Sequence, residues 1–222
     1  MREELDRIEL IRKYMKVYTI NDPYPQFTIE PEIVKYASWL YDLMPKRTQK
    51  SLNKEKSEQG FIGQELFSGF LLQFNIPNVY ANPIYEDMKI RQIEGKHFDF
   101  IVPHMPKGKK IISIKTTPEG SNCVRFMANV ESWKDEIHDI VIAIKIDSLS
   151  DYRAHVVGWL ESSVVESLPK HDFGRGLAYW TYLDPELVNS NRENEPKLKS
   201  LNPAPNIMNE LLNGAIIPTK KG

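Results

Sequence analysis

Cysteine and long apolar runs are both scarce in this chain. The 222 residues include one cysteine, Cys123, which excludes an intramolecular disulfide and is typical of a reducing compartment. The longest apolar run, DIVIAIKID, has the length of a strand, whereas a membrane-spanning helix needs about 20 residues. The charged N-terminus contains no apolar segment of the kind found in secretory signals. We therefore expect a cytoplasmic protein with no membrane partner.

An excess of positive charge is also missing. Lysine and arginine number 29, aspartate and glutamate number 30, and the formal net charge is −1. A protein that coats nucleic acid through bulk charge is normally basic, so the charge balance argues against that class but is compatible with a site-specific enzyme that has a local basic face. The sequence has no Walker loop and no dinucleotide-binding glycine motif, and its five histidines lack metal-binding spacing.

The length and the 41% hydrophobic content suit a domain with a full core. Helical periodicity dominates residues 1–57, which we interpret as an N-terminal helical region. Residues 58–188 form a central core with an extension, and residues 189–222 are a polar segment that contains a short helix. We expect these three parts to form one compact domain.

The central core changes from helical to strand character along the chain. Residues 58–74 predict a helix that is apolar nearly all round and therefore buried. Three strand-like runs follow within residues 78–117, joined by short turns that favour an antiparallel meander. A helix predicted over 123–138 leads to a fully apolar strand at 139–147, which this crossover can place parallel to a neighbour. The expected fold is α/β, a mixed central sheet flanked by helices.

Charged residues inside two neighbouring predicted strands are the main functional signal. Asp99 lies in the second strand and Lys115 in the third, although charges in strand interiors rarely lack partners. Because side chains alternate along a strand, Ser113 and Lys115 share a face with which the antiparallel neighbour can align Asp99. Glu65, in a polar arc of the preceding helix, can cover the same edge. Since adjacent carboxylates repel without a cation and oxygen ligands suit Mg²⁺, this constellation suits metal-assisted phosphodiester hydrolysis.

These residues and the order of elements around them resemble the PD-(D/E)xK nuclease superfamily, whose α-β-β-β-α-β core is the restriction-endonuclease-like fold. The resemblance covers residues 58–147. It implies that Asp99 binds the metal, that Lys115 is the catalytic lysine and that Glu65, the helix glutamate of many members, is a further metal ligand. It also implies that the backbone carbonyl of Ile114 is a metal ligand and that the cofactor is Mg²⁺, for which Mn²⁺ can substitute.

Ser113 departs from the family pattern, because it occupies the position of the second acidic residue. Some restriction enzymes with Ser-x-Lys recruit an acid from the following helix, and Glu131 is the corresponding candidate here. Glu119 is a less suitable metal ligand than Glu131, because it lies in the turn between the third strand and that helix. We therefore include Ser113 and Glu131 among the catalytic candidates and expect Glu131 to bind the metal. If neither acid reaches the metal, the protein would bind DNA without cutting it.

The resemblance implies a type II restriction endonuclease that cuts double-stranded DNA at a specific site. Residues outside the core would then provide target recognition and dimer contacts, since symmetric cutting of a duplex favours a two-fold homodimer. Two alternatives remain open at this point. One is a structure-selective nuclease of DNA repair or recombination, and the other is a catalytically inactive nucleic-acid-binding protein of the same fold.

Overall fold

The computed structural model describes residues 17–18, 26–46, 49, 53–82, 84, 90–120, 124–174 and 176–214. In chain order, its strands are β1 (Val17–Tyr18), β2 (Gln26–Thr28), β3 (Val79–Tyr80), β4 (Phe100–Val102), β5 (Lys110–Thr117), β6 (Arg125–Asn129), β7 (Ile140–Ser148), β8 (Arg153–Glu161), β9 (Lys170–Asp172), β10 (Leu177–Tyr182) and β11 (Asn202–Pro203). Its helices are α1 (Pro31–Leu43), α2 (Lys54–Gln73), α3 (Val130–Lys134), α4 (Ser162–Ser167), α5 (Pro185–Asn191) and α6 (Ala204–Gly214).

The main sheet is mixed and has the strand order β1-β2-β8-β7-β5-β4-β3, with β11 added to β8. The successive strands β3, β4 and β5 pair antiparallel, as their short connections favour. Strand β7 instead runs parallel to β5, because the intervening chain crosses over through β6 and α3 before it returns to the sheet. The expected mixed α/β sheet flanked by helices is confirmed.

A second sheet, β6-β10-β9, replaces much of the predicted crossover helix. The prediction of one helix over residues 123–138 is wrong, because residues 125–129 are a strand and the helix spans only residues 130–134. Side chains in β6 alternate between buried and accessible, and every residue of β6 pairs with β10. Asn129 then caps α3 with its side chain. Pairing with a distant strand therefore overrides the local helical preference.

Most other predicted elements lie where the sequence placed them. The third and last strands of the predicted core are confirmed as β5 and β7, and the buried helix is confirmed as α2. The predicted first strand, NVYANPIYEDMKI, contains the two-residue β3, while residues 83 and 85–89 lie outside the described residues. The first helix predicted in the N-terminal region also lies outside them, apart from its last residues, Val17–Tyr18, which are a strand.

One hydrophobic core joins the N-terminal, central and C-terminal regions. Helix α2 lies against one face of the main sheet, where Phe67 meets Phe100 of β4 edge-on, with 5.0 Å between ring centroids. The same core includes Ile33 of α1 and Leu211 of α6. The opposite face of the main sheet packs against the second sheet through a separate apolar cluster. Among the helices that the structure describes, none is long and apolar enough to cross a membrane.

Helix α2 approaches β5 so closely at Gly63 that a Cβ there would collide with the side chain of Thr116. We expect Gly63→Ala to lower the free energy of unfolding by about 1–3 kcal/mol, because the helix would have to move away from the strand. Gly60, one turn earlier in the same helix, has no atom within 4 Å of an added Cβ. Gly60→Ala is therefore the matched control and should be neutral or stabilise the protein by up to about 1 kcal/mol.

Urea denaturation of the two variants measures this difference. Adding Thr116→Ala to Gly63→Ala removes the hydroxyl and methyl groups that would collide with the new Cβ. The double variant should therefore recover part of the lost stability. Equal stability of the Gly63→Ala and Gly60→Ala proteins would contradict the close approach.

Candidate active site

The candidate site lies where β4 and β5 separate. The two strands pair from Phe100 and Ile112 to Val102 and Lys110. One residue before this ladder, the side chain of Asp99 reaches β5 instead, and its Oδ2 accepts the backbone N–H of Ile114 at 2.7 Å. A carboxylate thus takes the place of a backbone carbonyl as acceptor, which fixes Asp99 at the fork between the strands.

Four side chains converge at this fork. The Ser113 hydroxyl lies 3.2 Å from Oδ2 of Asp99 and 3.3 Å from Oε2 of Glu136. The same Glu136 oxygen accepts a hydrogen bond from Nζ of Lys115 at 2.6 Å. The structure therefore brings Asp99, Ser113 and Lys115 to one face of the sheet, as strand alternation predicted. Ser113 is buried, while the lysine and Glu136 side chains keep about a fifth of their surface accessible, at 21% and 22%.

Glu136 is the acid that the sequence analysis missed. After α3 ends, the chain turns back beside His97, where the backbone N–H of Ile137 donates to the His97 carbonyl at 2.7 Å. Glu136 forms a parallel bridge with His97, so its side chain lies next to Lys115. The helix predicted through residue 138 is incompatible with the extended conformation that residues 136–138 adopt here. The polar–apolar–polar alternation of Glu136, Ile137 and His138 before the apolar strand was the available signal.

Glu131, the acid expected to complete the site, lies elsewhere. Its side chain is 80% exposed and pairs with Lys134 at 2.9 Å. The short helix α3 presents Glu131 to solvent, and the chain returns to the sheet only after that helix has ended. The structure therefore brings Glu136, and not Glu131, into contact with Ser113 and Lys115.

Helix α2 contributes Gln64 to the cluster. The Gln64 amide Nε2 donates to Oδ1 of Asp99 at 3.0 Å. The neighbouring Glu65 is fully buried and accepts a hydrogen bond from the Tyr80 hydroxyl at 2.6 Å. A role for Glu65 in binding metal stays a prediction, whereas Gln64 is the α2 residue that contacts the aspartate.

The carboxyl group of Asp99 has an unusual pKa, raised from 3.8 to about 6. Burial of the carboxyl group is the main cause, and the negative charge of Glu136 adds to it. The Lys115 ammonium and the hydrogen bonds from Ile114 and Ser113 lower the pKa but do not offset burial. The surrounding groups do not fully compensate the burial of the carboxylate. A further positive charge near Asp99 would therefore stabilise its ionised form.

Two buried polar atoms beside the carboxylates have no hydrogen-bond partner in the described structure, Oε1 of Gln64 and Nε2 of His138. The Ser162 hydroxyl donates to the His138 carbonyl at 2.8 Å, so the hydrogen-bond network assigns the imidazole hydrogen to Nδ1, which lies 2.8 Å from the same hydroxyl. Burial lowers the pKa of His138, which favours the neutral ring. Its Nε2 lone pair then lies 3.8 Å from Oε2 of Glu136, and two acceptors at this distance favour a cation or a donor between them.

The donor atoms at the fork fit Mg²⁺. Asp99 and Glu136 supply two carboxylates, Ser113 a hydroxyl and Gln64 an amide oxygen without a partner. Mg²⁺ prefers such oxygen ligands, uses one or two protein carboxylates and keeps several waters. This is a sparse site, since the described residues contain no group of three or more His, Cys, Asp and Glu side chains placed to hold a metal. The Ile114 carbonyl stays a predicted ligand.

Binding of Mn²⁺ can distinguish Glu136 from Glu131. We expect Glu136→Gln to weaken Mn²⁺ binding by about 10- to 100-fold, because one of two carboxylates at the fork is lost. Glu131→Gln is the matched control and should bind as the unaltered protein does, since its carboxylate faces solvent. Isothermal titration calorimetry with Mn²⁺ measures both. Weakened binding in Glu131→Gln alone would place the metal at α3 instead.

Comparisons with known proteins add no assignment. No protein-family model matches the sequence. Neither a characterised protein nor a solved structure matches the chain. The function is therefore inferred from the geometry of the site.

Proposed function

We propose that the protein is a Mg²⁺-dependent deoxyribonuclease that hydrolyses phosphodiester bonds of DNA. The observation that carries this proposal is the convergence of Asp99, Ser113, Lys115 and Glu136 where β4 and β5 separate, through contacts of 2.6–3.3 Å. Two carboxylates and an ammonium group around one opening match the needs of phosphodiester hydrolysis, in which a cation and a proton donor must both reach the phosphate.

The order of elements supports a restriction-endonuclease-like core. Helix α2, the antiparallel strands β3, β4 and β5, the crossover through α3, and β7 parallel to β5 follow one another along the chain. This is the α-β-β-β-α-β order that the resemblance implies, with β6 inserted before the crossover helix. Lys115 falls on β5, the strand that the resemblance implies for it, whereas Asp99, expected inside the second strand, lies one residue before β4 begins.

Each residue at the fork has a role in this proposal. Asp99 and Glu136 would hold the divalent cation, which supplies positive charge to polarise the scissile phosphate. Lys115 donates a hydrogen bond to Glu136 before substrate arrives, and its ammonium then stabilises the negative charge that develops on the phosphate oxygens. The Ser113 hydroxyl bridges the two acids and fixes their separation. The reaction adds water across a P–O bond and delivers a proton to the leaving oxygen.

The substrate we propose is double-stranded DNA. The protein would cut it at a specific site, as a type II restriction endonuclease does. The second sheet and helices α1, α5 and α6 lie outside the proposed core and would supply target recognition and subunit contacts. Symmetric cutting of a duplex would use two copies of the chain. The position of Glu136 favours an active enzyme over an inactive binding protein. Its carboxylate provides the second acidic group that is missing from the strand because position 113 is a serine.

Incubation with plasmid DNA in Mg²⁺, and in EDTA as the control, tests this function. Discrete fragments that require Mg²⁺ are the expected result. Cleavage confined to branched or damaged DNA would instead identify a repair or recombination nuclease. Binding without cleavage of any DNA would contradict the catalytic proposal.

A further inference from the structure

Arg125 is held between aromatic rings on the second sheet. Its guanidinium carbon lies 5.3 Å from the ring centroid of Phe173 and 5.7 Å from those of Trp180 and Tyr182. Guanidinium groups within about 6 Å of a ring face are attracted to its π electrons. Trp180 makes edge-on contacts with the other two rings, so three mutually packed aromatic side chains hold the guanidinium in place.

The charge of Arg125 is not neutralised within the described residues. The side chain makes no ion pair or hydrogen bond there, and its Nε is buried without a partner. A guanidinium carries five N–H donors in a planar fork that matches phosphate and carboxylate groups in pairs. Burial of such a group without an acceptor is costly. Among the described residues no acceptor occupies the fork, which leaves it open to an anionic ligand.

Arg125 is linked directly to the strand that carries the catalytic lysine. The Thr117 hydroxyl of β5 donates to the backbone carbonyl of Arg125 at 3.2 Å. Thr117 lies two residues beyond Lys115 on the same face of the strand, which is a separation of about 7 Å. Each DNA strand presents a phosphate about every 3.4 Å along the helix axis. The backbone of Arg125 thus lies beside the end of β5, and a DNA strand that extends from Lys115 across the second sheet would carry further phosphates toward the arginine.

Apolar side chains are exposed on the sheet that carries Arg125. Met127, on the same face of β6 as Arg125, is 44% exposed, and Phe173, which directly follows β9, is 37% exposed. Such side chains can contact the sugars and bases that adjoin a bound phosphate, and an aromatic ring can stack on a base. We infer that Arg125 binds a backbone phosphate of DNA away from the bond that is cut, with Phe173 against the adjoining sugar or base. This inference rests on the proposed nuclease function for the identity of its ligand.

Fluorescence anisotropy with a labelled DNA duplex of mixed sequence, in EDTA so that cleavage is off, tests the inference. Arg125→Gln should weaken binding by about 10- to 100-fold and reduce the slope of log affinity against log salt by about one. Arg125→Lys keeps the charge but loses the planar fork, so it should keep the slope and lose less affinity. Arg153→Gln is the matched control, because Arg153 is exposed and paired with Asp151 at 3.4 Å.

Several results would overturn the inference. One is Arg125→Gln binding duplex as tightly, and with the same salt slope, as Arg153→Gln. Another is unchanged DNA affinity together with a change in oligomeric state, which would assign the arginine to a carboxylate of a protein partner. A third is an unaltered protein that binds no duplex. If circular dichroism shows that Arg125→Gln does not fold, Arg125→Met takes its place, because it also removes the charge, and unchanged affinity and salt slope in that variant would overturn the inference equally.

The same set of proteins separates this inference from the proposed function. With Mg²⁺, Arg125→Gln should need about 10- to 100-fold more DNA than the unaltered protein for half-maximal cleavage, because the lost contact contributes to binding. An unaltered protein that cuts DNA, with an Arg125→Gln variant that binds normally, contradicts only the phosphate contact. A protein that binds DNA through Arg125 but never cuts it contradicts only the nuclease.

Discussion

Lys115→Ala is expected to slow DNA cleavage by about 10²- to 10⁴-fold, the usual cost of losing a positioned proton donor or charge-stabilising group. The ammonium of Lys115 lies 2.6 Å from Glu136 and so belongs to the cluster that would surround the reacting phosphate. The variant loses this charge and leaves the backbone of β5 unchanged. DNA binding should therefore persist while the chemical step fails. Single-turnover cleavage, with protein in excess over plasmid, measures the chemical step directly.

Lys134→Ala is the matched control for this experiment. Lys134 also pairs with a glutamate, at 2.9 Å, but its side chain is 64% exposed, and exposed ion pairs contribute little. Its loss should leave both cleavage and binding unchanged. Lys115→Arg tests whether charge alone suffices, because a planar guanidinium cannot reproduce the compact ammonium beside Glu136. Cleavage by Lys115→Ala at the rate of Lys134→Ala would remove Lys115 from the active site.

Asp99→Asn should abolish cleavage and at the same time stabilise the folded protein at neutral pH. The pKa of Asp99 is about 6 in the folded state and about 3.9 in an unfolded chain. The folded state therefore holds its proton more tightly, and stability is lost as the pH rises from about 4 through 6. Above this window the ionised carboxylate costs about 1–3 kcal/mol, allowing for the partial exposure of the residue. An asparagine carries no such cost.

Thermal denaturation in EDTA at about pH 5 and about pH 8 measures the difference. Asp99→Asn should have the higher Tm at the upper pH, and the gap should narrow at the lower pH. Mg²⁺ should raise the Tm of the unaltered protein, because a ligand that binds only the folded state stabilises it. Mg²⁺ should leave the Tm of Asp99→Asn nearly unchanged. A variant less stable than its parent at both pH values would show that the aspartate serves mainly the fold.

The parts of the structure that sequence predicted well are those in which local pattern and tertiary role agree. Strands β5 and β7 are rich in β-branched residues and contain almost no turn-forming residues, so periodicity and propensity indicate the same state. Side-chain alternation then fixed the shared face of Ser113 and Lys115, and an antiparallel neighbour placed Asp99 against it. Strand geometry is enough for Ser113 and Lys115, while Asp99, one residue before β4, is also held by its hydrogen bond from the Ile114 N–H.

The parts that sequence did not predict depend on contacts between distant segments. Strand β6 has a helix-compatible sequence, and pairing with β10 about fifty residues later decides its state. Glu136 enters the site because the chain bridges to His97 after a helix of five residues. Gln64 rather than Glu65 contacts Asp99. Adjacent helical residues point ~100° apart around the helix axis. Which of the two meets Asp99 therefore depends on the rotation of α2 against the sheet, which the sequence pattern does not determine.

The close approach of Gly63 to Thr116 also restricts how this protein can change over evolution. Any side chain at position 63 costs stability while residue 116 keeps its branched side chain. A substitution at 63 is thus better tolerated with a smaller residue at 116, which makes the two positions a covarying pair. Since residue 116 directly follows the lysine at the fork, sequence change next to the candidate site is limited by a helix packed on the opposite face of the sheet.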